Sequence, residues 1–310
     1  MQKKHKSRSF PPLNRWPADV FHQVMRFAAL PDFVNGQNPY ETALALTRVS
    51  SDVRRAAMPG FLHTVVISNP RQLYAFLEAV RRSRSQRQPH RLDIHCDYAQ
   101  MVRRFWCTDG PHRLLSDPTV LDYATLYDVI RNVDSLGMTF VSLPMLTDCF
   151  AEGRNIQKEW KCRSLVLVGP GDRWNPLVKS PEGVVLLSKL THLVVYNLDG
   201  VSNETPYPPA VARIPFAAMP SLTHFAFPML AQARGGILPM AAIVSADRQA
   251  LHQFVKAPAN NSTPSYIRPP RWDQHGIDWE AAFGVAEPEQ IWRRATLEDE
   301  RKQQLVKGRK

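Results

Sequence analysis

The fold class predicted by the amino-acid sequence is α/β: a small all-helical N-terminal unit, followed by an irregular solenoid of alternating strands and helices. Three observations lead there. The opening residues, up to Gly60, carry helical apolar spacing without a strand pattern. Beyond them, short leucine- and valine-rich runs alternate with helical stripes at intervals near ~30 residues. Two of those runs are nearly one phrase, Leu190-Thr191-His192-Leu193 and Leu222-Thr223-His224-Phe225.

Composition narrows the function classes. The chain has 310 residues, 44% of them hydrophobic and only 22% charged, which is too apolar for a largely disordered chain. Its 26 prolines forbid long coiled coils and favour short elements joined by firm turns. Four cysteines, Cys96, Cys107, Cys149 and Cys162, are too few for a disulfide framework in a chain this long. No apolar stretch follows the N-terminal basic residues, so no secretory leader is expected. The weakly charged region from Ile214 to Ala246 is interrupted by Pro215, Pro220, Pro228 and Pro239, so no membrane span is expected either. These features predict a reduced, cytoplasmic or nuclear protein. The net charge of +11 gathers partly at Lys3 to Arg8, Arg81 to Arg91 and Arg301 to Lys310. It keeps open an alternative reading as a basic, nucleic-acid-associated scaffold.

In the N-terminal unit, Phe21, Val24, Met25 and Ala28 fall at i, i+3, i+4 and i+7, one stripe of a helix from Pro17 to Ala29. Pro17 suits the first turn, where its missing N–H costs nothing. Leu30-Pro31-Asp32 stops that helix, and 35–39 reads as a loop. A second helical stretch runs from about Tyr40 to Met58 with Val49, Val53, Ala56 and Ala57 as its stripe. Ser50 or Ser51 can start a new segment inside it. Pro59-Gly60 ends it.

The rest reads as strand–helix units. Strand candidates are Leu62 to Ser68, Arg91 to His95, Thr139 to Leu143, Arg163 to Val168, Leu190 to Asn197, Leu222 to Phe227 and Leu251 to Val255. Asn69-Pro70 caps a helix carrying Leu73, Phe76, Leu77 and Val80. Leu126, Val129, Ile130 and Val133 mark another, and Ser180-Pro181-Glu182 opens a third. A doubly wound sheet would also alternate in this way, but no glycine-rich loop follows the first strand. The recurring Leu-x-x-Leu/Phe phrase favours stacked turns of a leucine-rich-repeat-like solenoid. The predicted organisation is therefore 10–60 helical, 61–256 repeat-like, and 257–310 a linker with a charged final helix from about Pro288 to Val306.

No constellation for catalysis stands out. Gly169-Pro170-Gly171 lacks the Gly-Lys-Ser/Thr of a phosphate loop. His95, Cys96, Cys107 and His112 offer ligand types suited to zinc without its spacing. His192 and His224 occupy equivalent places in two repeats. Asp97-Tyr98-Ala99 and Asp122-Tyr123-Ala124, with Arg103, Arg104 and Arg113, read as surface ion pairs. The scattered tryptophans Trp160, Trp174, Trp272, Trp279 and Trp292 read as anchors. The expectation is a non-enzyme with no cofactor and no metal.

Trp16-Pro17-Ala18-Asp19-Val20 resembles the Leu-Pro-x-Glu-Ile opening of the F-box. Leu46-Thr47-Arg48-Val49-Ser50-Ser51-Asp52-Val53-Arg54 resembles that motif's second half. With Tyr40 to Ser50, Pro70 to Phe76 and Leu190 to Leu193, the chain resembles, over roughly residues 10 to 256, the F-box-like proteins expanded in fungi. That resemblance implies a protein–protein adaptor. The F-box would bind the linker subunit of a cullin-based ubiquitin ligase, and the repeats would hold a protein target for ubiquitin-dependent degradation. It implies linker-binding positions at Trp16, Pro17, Val20, Val49 and Val53. Two features depart from the family pattern: Trp16 stands where leucine is usual, and the 35–39 loop lengthens the gap between the two halves. Physical reasoning runs parallel, since a helical unit this small buries little apolar surface and leaves some for a partner.

Overall fold

The computed structural model describes residues 15–32, 38–85, 96–107, 121–156, 159–168, 174–196, 213–228, 240–244 and 265–267. The chain begins with helices α1 (Ala18–Ala28), α2 (Glu41–Leu46) and α3 (Ser51–Phe61). The predicted second helix is thus two. Ser50 is the divider: extended itself, it accepts the Val53 amide through its side chain and starts α3. Pro59 does not end α3, which continues to Phe61. A proline there forfeits one hydrogen bond near the helix end, while Gly60 brings α3 against α1. A β-carbon on Gly60 would fall on the Arg26 carbonyl oxygen.

The face of α1 toward α3 is Phe21, Met25 and Ala29, not the predicted Phe21, Val24, Met25 and Ala28. Met25 packs with Val53 and Ala56, and Ala29 with Ala43 and Ala57. Val49, predicted in the α3 stripe, lies in the turn before Ser50 and is exposed. These small clusters are distinct from the main core.

The main body is mixed α/β. Strands β1 (Thr64–Ile67), β2 (Arg104–Cys107), β3 (Ser135–Thr139), β4 (Ser164–Val168), β5 (His192–Tyr196) and β6 (His224–Pro228) pair in parallel, each with the next along the chain. Strands β7 (Met240–Val244) and β8 (Ser265–Ile267) continue the sheet antiparallel. Between strands lie α4 (Pro70–Ser85), α5 (Tyr98–Met101), α6 (Tyr123–Ile130), α7 (Leu143–Ile156), α8 (Asn175–Lys179) and α9 (Pro181–Lys189). Asn69 caps α4 by accepting the Gln72 amide, and Ser180 caps α9 by accepting that of Gly183, as the sequence predicts.

One repeated bond builds the sheet. The carbonyl just before a strand accepts two amides of the next turn. His63 O takes the amides of Arg103 and Arg104, and Arg103 O those of Asp134 and Ser135. Arg163 O takes Thr191 and His192, and Thr191 O takes Thr223 and His224. After a first interval of 40 residues between strand starts, the spacing holds at 28 to 32.

Alternation sorts the strand side chains. Val65, Ile67, Phe105, Cys107, Leu136, Met138, Leu165, Leu167, Leu193, Val195 and Phe225 join Leu73, Leu77, Leu126, Ile130, Leu146 and Leu187 from the helices in one core. Each large apolar side chain fully buried there contributes about 1.5–3 kcal/mol. Trp106, Val166, Val194 and Ala226 occupy the other face in one register row, also buried.

Several predicted strands move. Arg91 to His95 and Leu251 to Val255 lie outside the described residues, and the strand following α4 is Arg104–Cys107, unforeseen. The predicted Thr139 to Leu143 strand is instead Ser135–Thr139, followed by a 3-10 turn at Phe140–Ser142. β-Propensity drew the reading to Thr139-Phe140-Val141, but Phe140 and Leu143 reach the core from a turn and a helix. Within the predicted linker, Ser265–Ile267 is strand β8. The predicted final helix lies outside the described residues.

Candidate functional site

The sequence-predicted partner positions separate on the surface of the helical unit. Pro17 is the N-cap residue of α1 and is exposed, and Trp16 beside it is half-buried. Val20 is 42% exposed and Val49 65%. Val53 departs from the expectation: only 5% exposed, it fills the α1–α3 seam with Met25 and supports the unit from within.

The structure adds residues that the sequence reading put elsewhere or left out. Val24, Phe27 and Leu30 are exposed, Phe27 at 68%. With Val20 they make an apolar stripe along α1 at i, i+4, i+7 and i+10. It lies roughly a third of a turn from the stripe facing α3. The signal was present: apolar residues at positions 20, 21, 24, 25, 27, 28, 29 and 30 form an arc too wide for one short neighbour. An exposed stripe of large apolar side chains on a helix that already has its own buried face is a surface suited to another protein.

His192 and His224 are brought together as adjacent members of one register row. Their rings stack with centroids 4.0 Å apart and planes 16° from parallel. Each Nδ1 lies 2.8 Å from the hydroxyl of the preceding threonine, Thr191 or Thr223. Thr191 donates to Arg163 O and Thr223 to Thr191 O, so the repeated Thr-His phrase is one hydrogen-bonded ladder. Burial pushes the His192 imidazole down to about 4, with the neighbouring His224 adding to it, and burial lowers His224 as well. Further along the row, Ser135 donates to Ser164 inside the molecule.

The repeated Asp-Tyr-Ala phrase also has a structural role, though not the predicted one. Asp97 accepts the Gln100 amide at the start of α5, and Asp122 accepts the Thr125 amide and hydroxyl at the start of α6. Both are N-caps rather than surface ion pairs. Arg103 does form an ion pair, with Asp134 at 3.0 Å. It borders an open polar cleft of about 570 Å³ with Asp97, Gln100, Arg131 and Lys161. Arg113 lies outside the described residues.

All four cysteines are buried and free of disulfides. Burial raises the thiol of Cys96, raises Cys149 further, and pushes Cys162 up to about 12, the reverse of what a reactive thiol requires. His95 and His112 lie outside the described residues. Among the described residues no group of three or more histidine, cysteine or acidic side chains is placed to hold a metal. No described helix is long and apolar enough to cross a membrane.

Trp160 and Trp174 are core anchors. Trp160 packs edge-on against Phe150 and donates to Cys162 O, and Trp174 meets Phe140 edge-on. Trp272, Trp279 and Trp292 lie outside the described residues. Of the central basic cluster, Arg81 and Arg82 pair with Glu78 and Arg84 with Asp128. That leaves less free charge there than the sequence suggests. Compared with protein-family models, curated proteins and solved structures, the chain matches none.

Proposed function

We propose that the protein is a non-enzymatic, F-box-like adaptor. Its helical unit engages the linker subunit of a cullin-based ubiquitin ligase, and its leucine-rich-repeat-like body holds a protein target. The observation that carries this reading is the uncovered stripe Val20, Val24, Phe27 and Leu30 on α1. It sits on a helical unit whose own core is already closed by Met25, Val53 and Ala56. The stripe extends from the Trp16-Pro17-Ala18-Asp19-Val20 phrase on which the resemblance rests. The order of the parallel strands, following the chain from β1 to β6, supports the repeat reading of the body. Solenoids of this kind present extended surfaces suited to proteins.

The test is capture of the purified linker subunit by the full-length chain, beside a known F-box protein as positive control. The Phe27→Asp and Val20→Asp variants are expected to weaken capture by about 30-fold or more, the effect of losing a central apolar anchor worth ~2 kcal/mol. No capture by the native chain, under conditions where the control succeeds, overturns the reading. So does capture that survives both substitutions.

A further inference from the structure

The first strand of the sheet has neighbours on one side only. Along β1, backbone groups alternate between the two sides. His63 O faces β2, where it accepts the Arg103 and Arg104 amides. Thr64 O and the Val66 amide therefore face outward, as the unsatisfied edge of a parallel sheet. A further parallel strand would satisfy both with a single residue, its N–H to Thr64 O and its C=O to the Val66 amide.

Tyr40, at the start of α2, does that with one atom. Its hydroxyl donates to Thr64 O at 2.9 Å and accepts the Val66 amide at 3.0 Å. A phenol suits the place because the same oxygen is donor and acceptor. The ring is held edge-on against Phe61, with centroids 5.7 Å apart, and the Tyr40 amide is held by the Asn38 side chain. Burial raises the hydroxyl's pKa, so it stays protonated as a donor. The next outward amide, that of Ser68, is taken by the Gln72 side chain at 2.7 Å. Thr64 O and the amides of Val66 and Ser68 are thus all met by side chains.

We infer that the helical unit is the end cap of the sheet. Tyr40 takes the hydrogen-bonding place of an additional strand along β1, and Gln72 continues the seal, closing this edge to strand addition by an extended peptide or a second copy of the chain. Open edges are templates for such pairing, and covering them is how sheets avoid it. The inference does not depend on what the α1 stripe binds.

Residue-resolved amide exchange on the full-length chain tests it. Tyr40→Phe keeps the ring and removes the oxygen. The Val66 amide should then exchange about tenfold faster or more, the effect of losing a bond worth ~1.4 kcal/mol, while the Val65 and Ile67 amides, which face β2, keep their native rates. Gln72→Ala should accelerate Ser68 and leave Val66 unchanged. It serves as the deciding variant if Tyr40→Phe does not fold. Unchanged rates at Val66 and Ser68, or equal acceleration of Val65, Val66 and Ile67, overturn the inference. The latter would make Tyr40 a packing residue and nothing more.

Discussion

The stacked pair His192 and His224 ties stability to pH. Both imidazoles are held neutral by burial, and His63 is lowered by burial with Arg104 and Arg26 contributing. In the unfolded chain each regains the ordinary histidine pKa of about 6.5. Below that value the unfolded state binds more protons than the folded one, so folding is favoured in full above pH ~6.5 and weakens as pH falls toward about 4. The Tm should drop from pH 7 to pH 5, and the His192→Asn/His224→Asn double variant should show a shallower drop. A profile unchanged by the double variant would remove the pair as its cause. The repeat of Thr-His was legible in the sequence because two rungs of one sheet spell the same phrase. What it does was not, because contact across 32 residues of chain depends on register. The caps show the same limit. Asn69 and Ser180 were read correctly, since a proline followed each. Asp97 and Asp122 were misread because an aspartate near arginines looks the same whether it caps a helix or pairs on the surface. Asp122→Ala is expected to cost about 1 kcal/mol, read as a lower urea midpoint at unchanged m-value.

At the scale of the element, α1 carries two apolar faces with opposite fates, and substitution separates them. Met25→Ala opens a cavity against Val53 and Ala56 and should cost roughly 2–5 kcal/mol. Phe27→Asp, on an exposed position, should change stability by about 0.5 kcal/mol or less. Thermal unfolding of both variants checks the contrast, and a large loss from Phe27→Asp would show that the stripe is covered from within. Gly60→Ala should be among the most damaging changes in the unit, because the added methyl meets the Arg26 backbone rather than a side chain that can swing away. That α1 is a helix was legible from its spacing. Which stripe turns inward was not, because Val24 and Met25 are equally apolar and only the position of α3 chooses between them. Val49 and Val53 looked equivalent for the same reason, until Ser50 broke the helix between them.

Across the molecule, the alternation of strands and helices was legible because burial on one sheet face imposes a period-two pattern and burial of a helix a 3.6-residue one. β2 escaped notice because Arg104-Phe105-Trp106-Cys107 is short and buried on both faces, which erases the alternation. β7 and β8 reverse direction and break the near-30-residue interval by which the earlier strands were found. The charge of +11 was legible but its pairing was not. If Arg81, Arg82 and Arg84 gripped phosphates, replacing all three by alanine would remove almost three units from the log–log salt slope of polyanion binding. With Glu78 and Asp128 already engaging them, the slope is expected to stay the same. The carbonyl ladder has one more consequence. His63 and Arg103 make the same pair of bonds across 40 residues that Arg163 and Thr191 make across 28. Alignment of the rungs is thus indifferent to how much chain is looped out between them. A reporter epitope of about ten residues grafted between Ser85 and Cys96 should fold with the rest at a cost below ~1 kcal/mol. The same graft after Asn132, two residues short of the amide bonded to Arg103 O, should tear the ladder.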